Sequence, residues 1–245
     1  MINDMLTIIQ KDLKEILAAR GSRRSSLIYL GIVIALIGVF MPLQSGRLWL
    51  TEPVLALVWS WFPVFLMISM VTDSIAGERE RNTLETLLAS RLSDRAILFG
   101  KITAAVIYGW SISVIGNLLA VATVNLRFPQ GGFQFYALDH FLVLLFLPLA
   151  IGILMSSVGV LVSLNAPTAR AAYQKLSFVM LGVWFLPMIF LNFAPESVQI
   201  QLNQFLSGMD LLKIAGAGIV LILTIDIVII QIAMQRFKRT RLILD

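Results

Sequence analysis

The fold class of this chain follows from one uncharged stretch, Phe141-Leu-Val-Leu-Leu-Phe-Leu-Pro-Leu-Ala-Ile-Gly-Ile-Leu-Met-Ser-Ser-Val-Gly-Val-Leu-Val-Ser-Leu164. A helix needs roughly 20 apolar residues to cross the hydrocarbon core of a bilayer, and this stretch is long enough. The whole chain has the same character, with 58% apolar and only 13% charged residues. Soluble domains have about 45–50% apolar and about 25% charged residues. The composition therefore predicts a membrane protein and excludes a disordered chain, a nucleic-acid-binding module and an ordinary cytosolic enzyme.

On both sides of this stretch, further apolar runs of helical length lie between the charged residues. The six predicted spans cover about residues 27–43, 53–71, 102–124, 141–164, 176–193 and 214–234. None of them alternates polar and apolar residues, as the strands of a membrane barrel do. The expected fold class is an all-α integral membrane protein in which residues 1–245 form a single transmembrane domain.

The distribution of basic residues predicts the orientation of these spans. Of the nineteen lysines and arginines, five precede the first span, five lie between spans two and three, two between spans four and five, and four after span six. Only Arg47, Arg127 and Lys213 lie on the opposite side. Basic residues concentrate in cytoplasmic loops. Both termini are therefore predicted to be cytoplasmic, in a multi-pass protein of the plasma (inner) membrane.

Residues 2–20 are predicted to form an amphipathic helix before the first span. Its apolar residues fall on one helical face: Ile2, Met5, Leu6, Ile9, Leu13, Ile16 and Leu17. Lys11 and Lys14 lie on the opposite face. Such a helix lies in the membrane interface, with its apolar face in the acyl boundary and its lysines toward the headgroups. The alternative is a soluble helix packed against a partner.

The loop 73–100, between spans two and three, carries the most informative pattern. Asn82 and Glu85 have the spacing of a capping box, which predicts a helix start. Ser93 is the predicted N-cap of the helix that leads into span three. We expect a short helix under the membrane, with an apolar side formed by leucines. It would present charged residues to the cytoplasm, namely Glu78, Arg79, Glu80, Arg81 and Glu85.

The run Ala76-Gly-Glu-Arg-Glu-Arg-Asn-Thr-Leu-Glu-Thr-Leu-Leu88 resembles the signature of type-2 ATP-binding-cassette (ABC) exporter permeases. The family form is Gly-Glu-Lys/Arg-Glu-Arg-Gly-Thr-Leu-Glu-x-Leu-Leu, also between spans two and three. Asn82 stands where the family usually has glycine, and both residues suit a helix cap or turn. The resemblance covers the whole chain, including an amphipathic N-terminal "elbow" helix, six spans and cytoplasmic termini. The segment Asn165-Ala-Pro-Thr-Ala-Arg-Ala-Ala-Tyr-Gln174 is also similar to the family pattern.

The resemblance implies that this chain is the permease subunit of an ATP-driven exporter. In that family the membrane subunit forms a dimer of identical or related copies, and each copy docks a separate ABC ATPase. ATP and magnesium bind to the ATPase, and no cofactor is implied for the permease. The loop after span two supplies a coupling helix that sits in a groove of the ATPase. The implied coupling residues are Glu78, Glu80, Arg81, Thr83, Leu84, Glu85 and Leu88. The alternative is a solvated charged loop that only starts span three.

The sequence carries no motif for catalysis or metal binding. It lacks a Gly-x4-Gly-Lys-Ser/Thr loop, so ATP hydrolysis is expected on the partner. Its single histidine, His140, excludes a His-Glu-x-x-His site and is expected to be an interfacial residue. The absence of cysteine excludes disulfides, zinc–thiolate sites and iron–sulfur clusters. We therefore expect no enzyme activity from this chain.

Two features inside the spans stand out by residue type. Asp226 is the only acidic residue within a predicted span. A carboxylate at that depth is protonated, paired or facing water. It is either a substrate- or proton-pathway residue or a hydrogen-bonding partner of a neighbouring helix. In span four, a ridge of small residues permits close helix packing: Gly152, Ser156, Gly159 and Ser163.

Two other functions fit a polytopic protein of this kind. An ion- or proton-coupled carrier would use Asp226 for coupling, but such carriers need more buried polar groups and broken helices near the midplane. An integral-membrane enzyme, such as a lipid transferase, would need clustered acids or histidines near the interface, and the sequence has no such cluster. The substrate is not specified by the sequence, although the mostly apolar spans favour an amphipathic cargo.

Overall fold

The structure, a computed structural model, describes residues 1–18, 23–52, 62–129, 132–207 and 211–237. All secondary structure in these ranges is helical, as the sequence predicts. The described α-helices are α1 (Ile2–Ala18), α2 (Arg23–Ala35), α3 (Met41–Ser45), α4 (Leu48–Thr51), α5 (Phe62–Thr72), α6 (Glu78–Glu80), α7 (Leu84–Ala89), α8 (Asp94–Arg127), α9 (Leu138–Asn165), α10 (Ala169–Phe193), α11 (Glu196–Ser207) and α12 (Leu211–Arg236). Two π-helical segments, Leu36–Phe40 and Asp73–Gly77, join α2 to α3 and α5 to α6.

Several of these helices are long and apolar enough to cross a membrane. Among the described residues they are Arg24–Ser45, Asp94–Arg127, Leu138–Asn165 and Leu212–Arg236. They contain the predicted spans one, three, four and six. Of the predicted second span, residues 53–61 lie outside the described residues and the remainder belongs to α5. The predicted fifth span lies within α10. The total of six spans stays a prediction.

The N-terminal segment forms the expected helix. Helix α1 ends at Ala18, and residues 19 and 20 of the predicted helix lie outside the described residues. Its Ile8 and Ile9 are buried and belong to the largest apolar cluster of the bundle. This cluster gives α1 a packing partner within the chain. Its placement at a membrane interface stays a prediction.

Helix α9 lies at the centre of the bundle and contacts α5, α8, α10 and α12. Helices α5 and α8 also contact each other, so α5, α8 and α9 form a closely packed core. Val71, Ala104 and Val160, one from each of these helices, are fully buried in one cluster. Helix α8 begins at Asp94, and the Ser93 hydroxyl accepts a hydrogen bond from the Ala96 N–H at 3.2 Å. The predicted N-cap of this helix is therefore confirmed.

Many large apolar side chains lie on the outer surface of the bundle. Phe178 and Phe190 on α10 are 73% and 68% exposed, and Val220 on α12 is 64% exposed. A helix that is hydrophobic on all sides belongs in a protein core or a membrane. Because these side chains face outward, the helices indicate a multi-pass membrane protein.

Small residues allow α9 to approach α5 closely. A Cβ atom added to Gly152 would lie 2.2 Å from Met67 Sδ, and one added to Gly159 would lie 2.4 Å from Val71 Cγ1. Ser156 and Ser163 lie on the same helical face and are fully buried. The structure thus places the two glycines of the small-residue ridge of span four against α5. Close packing of this kind holds helices together in lipid, where no hydrophobic driving force acts between them.

We predict that Gly159→Ala lowers the free energy of unfolding by about 1–3 kcal/mol, because the new methyl group overlaps the β-branched side chain of Val71. Gly216→Ala, on α12, is the matched control, since a Cβ atom there meets nothing within 4 Å. Alanine favours a helix over glycine by about 1 kcal/mol, so the control keeps or gains stability. Thermal unfolding of both variants in the same detergent measures the difference. Equal melting temperatures would contradict the packing argument.

Candidate coupling site

The segment between α5 and α8 lies at the same end of the bundle as α1. We call this the basic end, because Lys11, Arg79, Arg81 and Lys101 lie there. Residues 77–89, which include α6 and α7, carry the family-like motif, and we call them the motif segment. Its helices are short, so hydrogen bonds to neighbouring elements rather than internal helical bonds hold it in place.

Asn82 ends α6 instead of starting α7. The N–H of Thr83 bonds to the Glu78 carbonyl at 2.9 Å, and the N–H of Asn82 bonds to the Arg79 carbonyl at 3.0 Å. This pair of bonds is a Schellman motif, in which the residue after the helix is left-handed. Asn82 has a φ of +56°.

The predicted capping box is therefore wrong. Thr83, not Asn82, is the N-cap of α7, and no side chain bonds to the N-terminal amides of that helix. The physical reason is that asparagine suits two positions, the N-cap and the left-handed residue after a helix. Glycine adopts the left-handed conformation even more readily. This explains why asparagine can stand where the family signature has glycine.

Glu78 is buried in a cluster of charges. Its side chain is 1% exposed. Glu78 Oε1 lies 3.2 Å from Lys101 Nζ and also accepts a hydrogen bond from Lys11 Nζ. Lys101 is 1% exposed, donates to the Ser74 carbonyl and lies 3.5 Å from Asp12 Oδ2. Lys11, Asp12, Glu78 and Lys101, the buried ion cluster, thus connect α1, the motif segment and α8.

The two lysines of the cluster face three carboxylates, because the exposed Glu15 also lies 3.4 Å from Lys11 Nζ. Burying an ion costs several kcal/mol unless an oppositely charged partner and hydrogen bonds compensate for the lost water. Burial raises the pKa of Asp12 above its ordinary value, and the positive charge of Lys101 partly offsets this. Glu78 accepts a hydrogen bond from Lys11 and forms an ion pair with Lys101, so it is the central anion of the cluster.

Two further charged residues attach the motif segment to the ends of neighbouring helices. Arg79 donates to the carbonyls of Leu164 and Ala166, at the C-terminus of α9, at 3.0 and 3.1 Å. Glu80 Oε1 accepts from the N–H of Ala169, the first residue of α10, at 2.8 Å. A cation at a helix C-terminus and an anion at an N-terminus both complement the helix dipole. The two residues also pair backbone groups that helix ends leave unsatisfied.

Arg81 connects the motif segment back to the end of α5. Its Nη1 lies 3.3 Å from Asp73 Oδ1, in a half-exposed ion pair. A Cβ atom added to Gly77 would lie 2.4 Å from the same carboxylate oxygen, so an alanine there would displace the Asp73 side chain. Exposed pairs contribute little stability. The pair therefore orients the turn more than it stabilises it.

One face of α7 remains open. Leu84 and Leu88 are 6% and 2% exposed, which places them on the inner side of the helix. Glu85, Thr86 and Ala89 are exposed, and we call these three residues the open face. The open face is thus part of a helix whose other side is buried in the protein.

The structure divides the predicted coupling residues into two groups. The exposed group contains Glu85 together with Glu80, Arg81 and Thr83, whose side chains are bonded within the chain. The buried group contains Glu78, Leu84 and Leu88. The expectation that Glu78 faces the cytoplasm is wrong, because its carboxylate is enclosed by the two lysines. The coupling roles themselves stay predictions.

Sequence reasoning missed Asp12 and Lys101 as partners of the motif. The one signal in the sequence was the position of Lys101 directly before a long apolar run. A charge at such a position has to be hydrated or paired.

Asp226 lies apart from this site, on α12. Its side chain is 2% exposed, and neither carboxylate oxygen has a hydrogen-bond partner among the described residues. Helix α12 packs mainly on α9. An interhelical hydrogen bond of Asp226 is thus not seen in the described part of the chain. Both roles considered for this residue stay predictions.

Apolar helices of membrane length, with a polar motif segment at one end, define a polytopic membrane protein. A family model described as "ABC-2 family transporter protein" matches residues 50–226, which is more than two thirds of the chain and includes the motif segment. The chain therefore belongs to the ABC-2 family of transporter proteins. Membership supports a permease role and implies an ABC ATPase as the partner in the transporter. Permeases of this family are generally non-catalytic membrane subunits. No curated protein matches the chain.

We predict that Lys101→Met destabilises the protein by about 3–5 kcal/mol, because it leaves buried carboxylates without their main cation. Lys101→Arg retains the charge and loses less stability. Lys14→Met, on the exposed side of α1, is the matched control and has little effect. Thermal unfolding in detergent measures all three. A Lys101→Met variant as stable as Lys14→Met would show that the cluster contributes no stability.

We also predict that Asn82→Gly is neutral and that Asn82→Val is destabilising. A left-handed residue with a side chain costs roughly 1–2 kcal/mol, and a β-branched one is the least tolerant. Thr86→Val is the control, because it places the same side chain on the helical backbone of α7. Resistance of the motif segment to proteolysis reports the effect. Equal cleavage of the two valine variants would argue against the left-handed turn.

Proposed function

We propose that this chain is the transmembrane subunit of an ATP-driven exporter, and that its motif segment couples ATP hydrolysis on a separate ATPase to substrate movement. One observation carries the proposal. The motif segment exposes one face of α7, while its charged residues bond to α1, α8 and the ends of α9 and α10. A force applied to that face therefore acts on several membrane helices together.

In this proposal the open face contacts the ATPase. Glu85 and Thr86 supply a charge and a hydrogen-bonding group at the surface, and Ala89 leaves room for a close approach. Leu84 and Leu88 hold α7 on its buried side through apolar contacts. The partner thus contacts a helix that is held on its opposite side, so its motion is passed on instead of being absorbed by a flexible loop.

Each charged residue of the motif transmits motion to a different element. Arg79 and Glu80 hold the junction between α9 and α10, so a tilt of the motif segment moves both helix ends. Glu78 passes the same motion to α8 and α1 through Lys101 and Lys11. Because these contacts are charge-assisted hydrogen bonds, they are directional and resist sliding more than apolar contacts do.

The complete transporter would contain two permease copies, identical or related, and two ATPase subunits. ATP and magnesium would bind to the ATPase, since the chain lacks a phosphate-binding loop. The concentration of basic residues near the motif segment supports a cytoplasmic position for this end and for both termini in the inner membrane. The export direction is supported by the resemblance of the motif to that of exporter permeases.

Photo-crosslinking from the open face tests the docking step. The chain contains no cysteine, so Thr86→Cys can be labelled specifically with a maleimide–benzophenone. We expect the labelled protein, coexpressed with its genomic neighbours, to crosslink to a subunit that carries an ATP-binding motif. Mass spectrometry identifies the crosslinked peptide.

Thr51→Cys is the matched control, because it is an exposed threonine of α4, outside the motif segment. The same ATPase crosslinked from both positions, or from neither, would contradict docking on α7.

In the purified complex, Glu85→Ala combined with Thr86→Ala is expected to reduce permease-dependent ATP hydrolysis at least fivefold. An unchanged rate would refute the coupling role of this face.

A further inference from the structure

A cleft enters the bundle from the basic end, between α2, α5 and α10. It consists of two adjoining cavities of about 320 and 480 Å³ that share Tyr29, Leu66, Ser69 and Tyr173. Asp73, Arg81 and Arg170 line its entrance, and Phe62 and Phe65 line its inner part. The cleft is therefore polar where it opens and aromatic where it is deep.

The lining of the cleft is unusual for so apolar a chain. Three of the four tyrosines of the protein line it, namely Tyr29, Tyr108 and Tyr173. Ser26 also lines it and is 5% exposed, and its Oγ has no hydrogen-bond partner among the described residues. Polar groups within membrane helices face a partner or a water-filled cavity, since lipid cannot satisfy them. The cleft thus contains a buried hydroxyl available to a ligand.

The entrance carries net positive charge. Arg81 is paired with Asp73 in a half-exposed ion pair, whereas Arg170 is exposed and makes no ion pair within the described residues. The first N–H of α10 is already bonded to Glu80, so the positive charge comes from the arginine side chains. Arginine at such a site binds carboxylate or phosphate groups with two parallel hydrogen bonds.

The depth of the cleft matches an elongated molecule. Phe62 and Asp73 lie eleven residues apart along α5 and the π-helical segment that follows it. At about 1.5 Å per residue this corresponds to roughly 16 Å, about half the hydrocarbon thickness of a bilayer. A molecule that fills it would place its polar group at headgroup level and its apolar body at the depth of one leaflet.

We propose that this cleft binds the transported substrate, an anionic amphiphile with a narrow apolar body that enters from the cytoplasmic side. Its acidic group lies between Arg170 and Arg81, and the Ser26 hydroxyl donates to it or to a neighbouring oxygen. Its apolar body packs against Phe62, Phe65 and the tyrosine rings. This inference rests on the proposed transport function and adds the substrate class and its site.

The position of Arg81 connects substrate binding to coupling. The same side chain belongs to the motif segment and to the entrance of the cleft. An acid that binds there competes with Asp73 for Arg81 and changes how the motif segment is held. Movement of the motif segment, in turn, changes the charge at the entrance.

Photolabelling tests the site in the full chain reconstituted in phosphatidylcholine nanodiscs, which carry no net lipid charge. The probes are hexadecanoate with a diazirine in its chain and the matching hexadecyltrimethylammonium compound. We expect hexadecanoate to label peptides around Ser69 and Tyr173 at least fivefold more than the cationic probe does. Unlabelled phosphatidylglycerol and unlabelled hexadecanoate, added separately, then show whether a membrane lipid or a free acid competes better.

Arg170→Gln is expected to reduce cleft labelling by hexadecanoate at least fivefold, and Arg170→Lys to restore part of it. Arg91→Gln is the matched control, since it removes an exposed arginine that does not line the cleft. Equal labelling by both probes, or equal labelling of the two glutamine variants, would overturn the proposal. Label found only on the outward-facing residues Phe178 and Phe190 would also overturn the proposal. That result is expected if lipid or a second copy of the chain fills the cleft.

The labelling experiment can fail independently of the coupling experiment. Labelling needs no ATP and no ATPase, so the Glu85→Ala and Thr86→Ala variant should still be labelled in the cleft. If that variant loses coupling but keeps the label, both proposals stand. If wild-type protein is coupled but its cleft is not labelled, only the substrate site is refuted.

Discussion

The pairing of Lys101 with Glu78 is the interaction on which the arrangement of the basic end depends. Both side chains are 1% exposed, and neither charge can be buried at acceptable free energy without the other. Their pairing fixes where the motif segment sits against α8, and Lys11 and Asp12 bring α1 to the same point. Apolar contacts between these helices are non-directional and would permit several registers. The charges select one of them.

The rest of the bundle is held by less specific forces. Helices α5, α8 and α9 pack through apolar side chains and through small residues such as Gly159, which let the backbones approach. This packing makes a stable support but specifies no function. The proposed coupling segment and the entrance of the proposed substrate cleft both lie at the basic end and share Arg81. A single side chain thus lies between the part that would contact the ATPase and the part that would hold a substrate.

The positions of the helices and the family motif could be predicted because the signals are local. An uncharged run such as residues 141–164 must be a membrane helix whatever surrounds it, and Ser93 caps its helix through a bond to a residue three positions away. The error at Asn82 was local as well, because one residue type serves both at a helix start and just after a helix end. The burial of Glu78 could not be predicted in this way, since its partner Lys11 is 67 positions away in the chain.

The membrane class, the family resemblance and the segment that carries the motif could be predicted from the sequence alone, because hydrophobic length and motif spacing do not depend on tertiary contacts. Folding determines which motif residues are exposed and which are bonded within the chain. It turned Glu78, Arg79 and Glu80 into internal attachments and left Glu85 and Thr86 as the open face. It also brought together tyrosines from α2, α8 and α10. The physical reason is the same in each case: a charge or hydroxyl is satisfied by whatever group folding places beside it, and that group is usually distant in sequence.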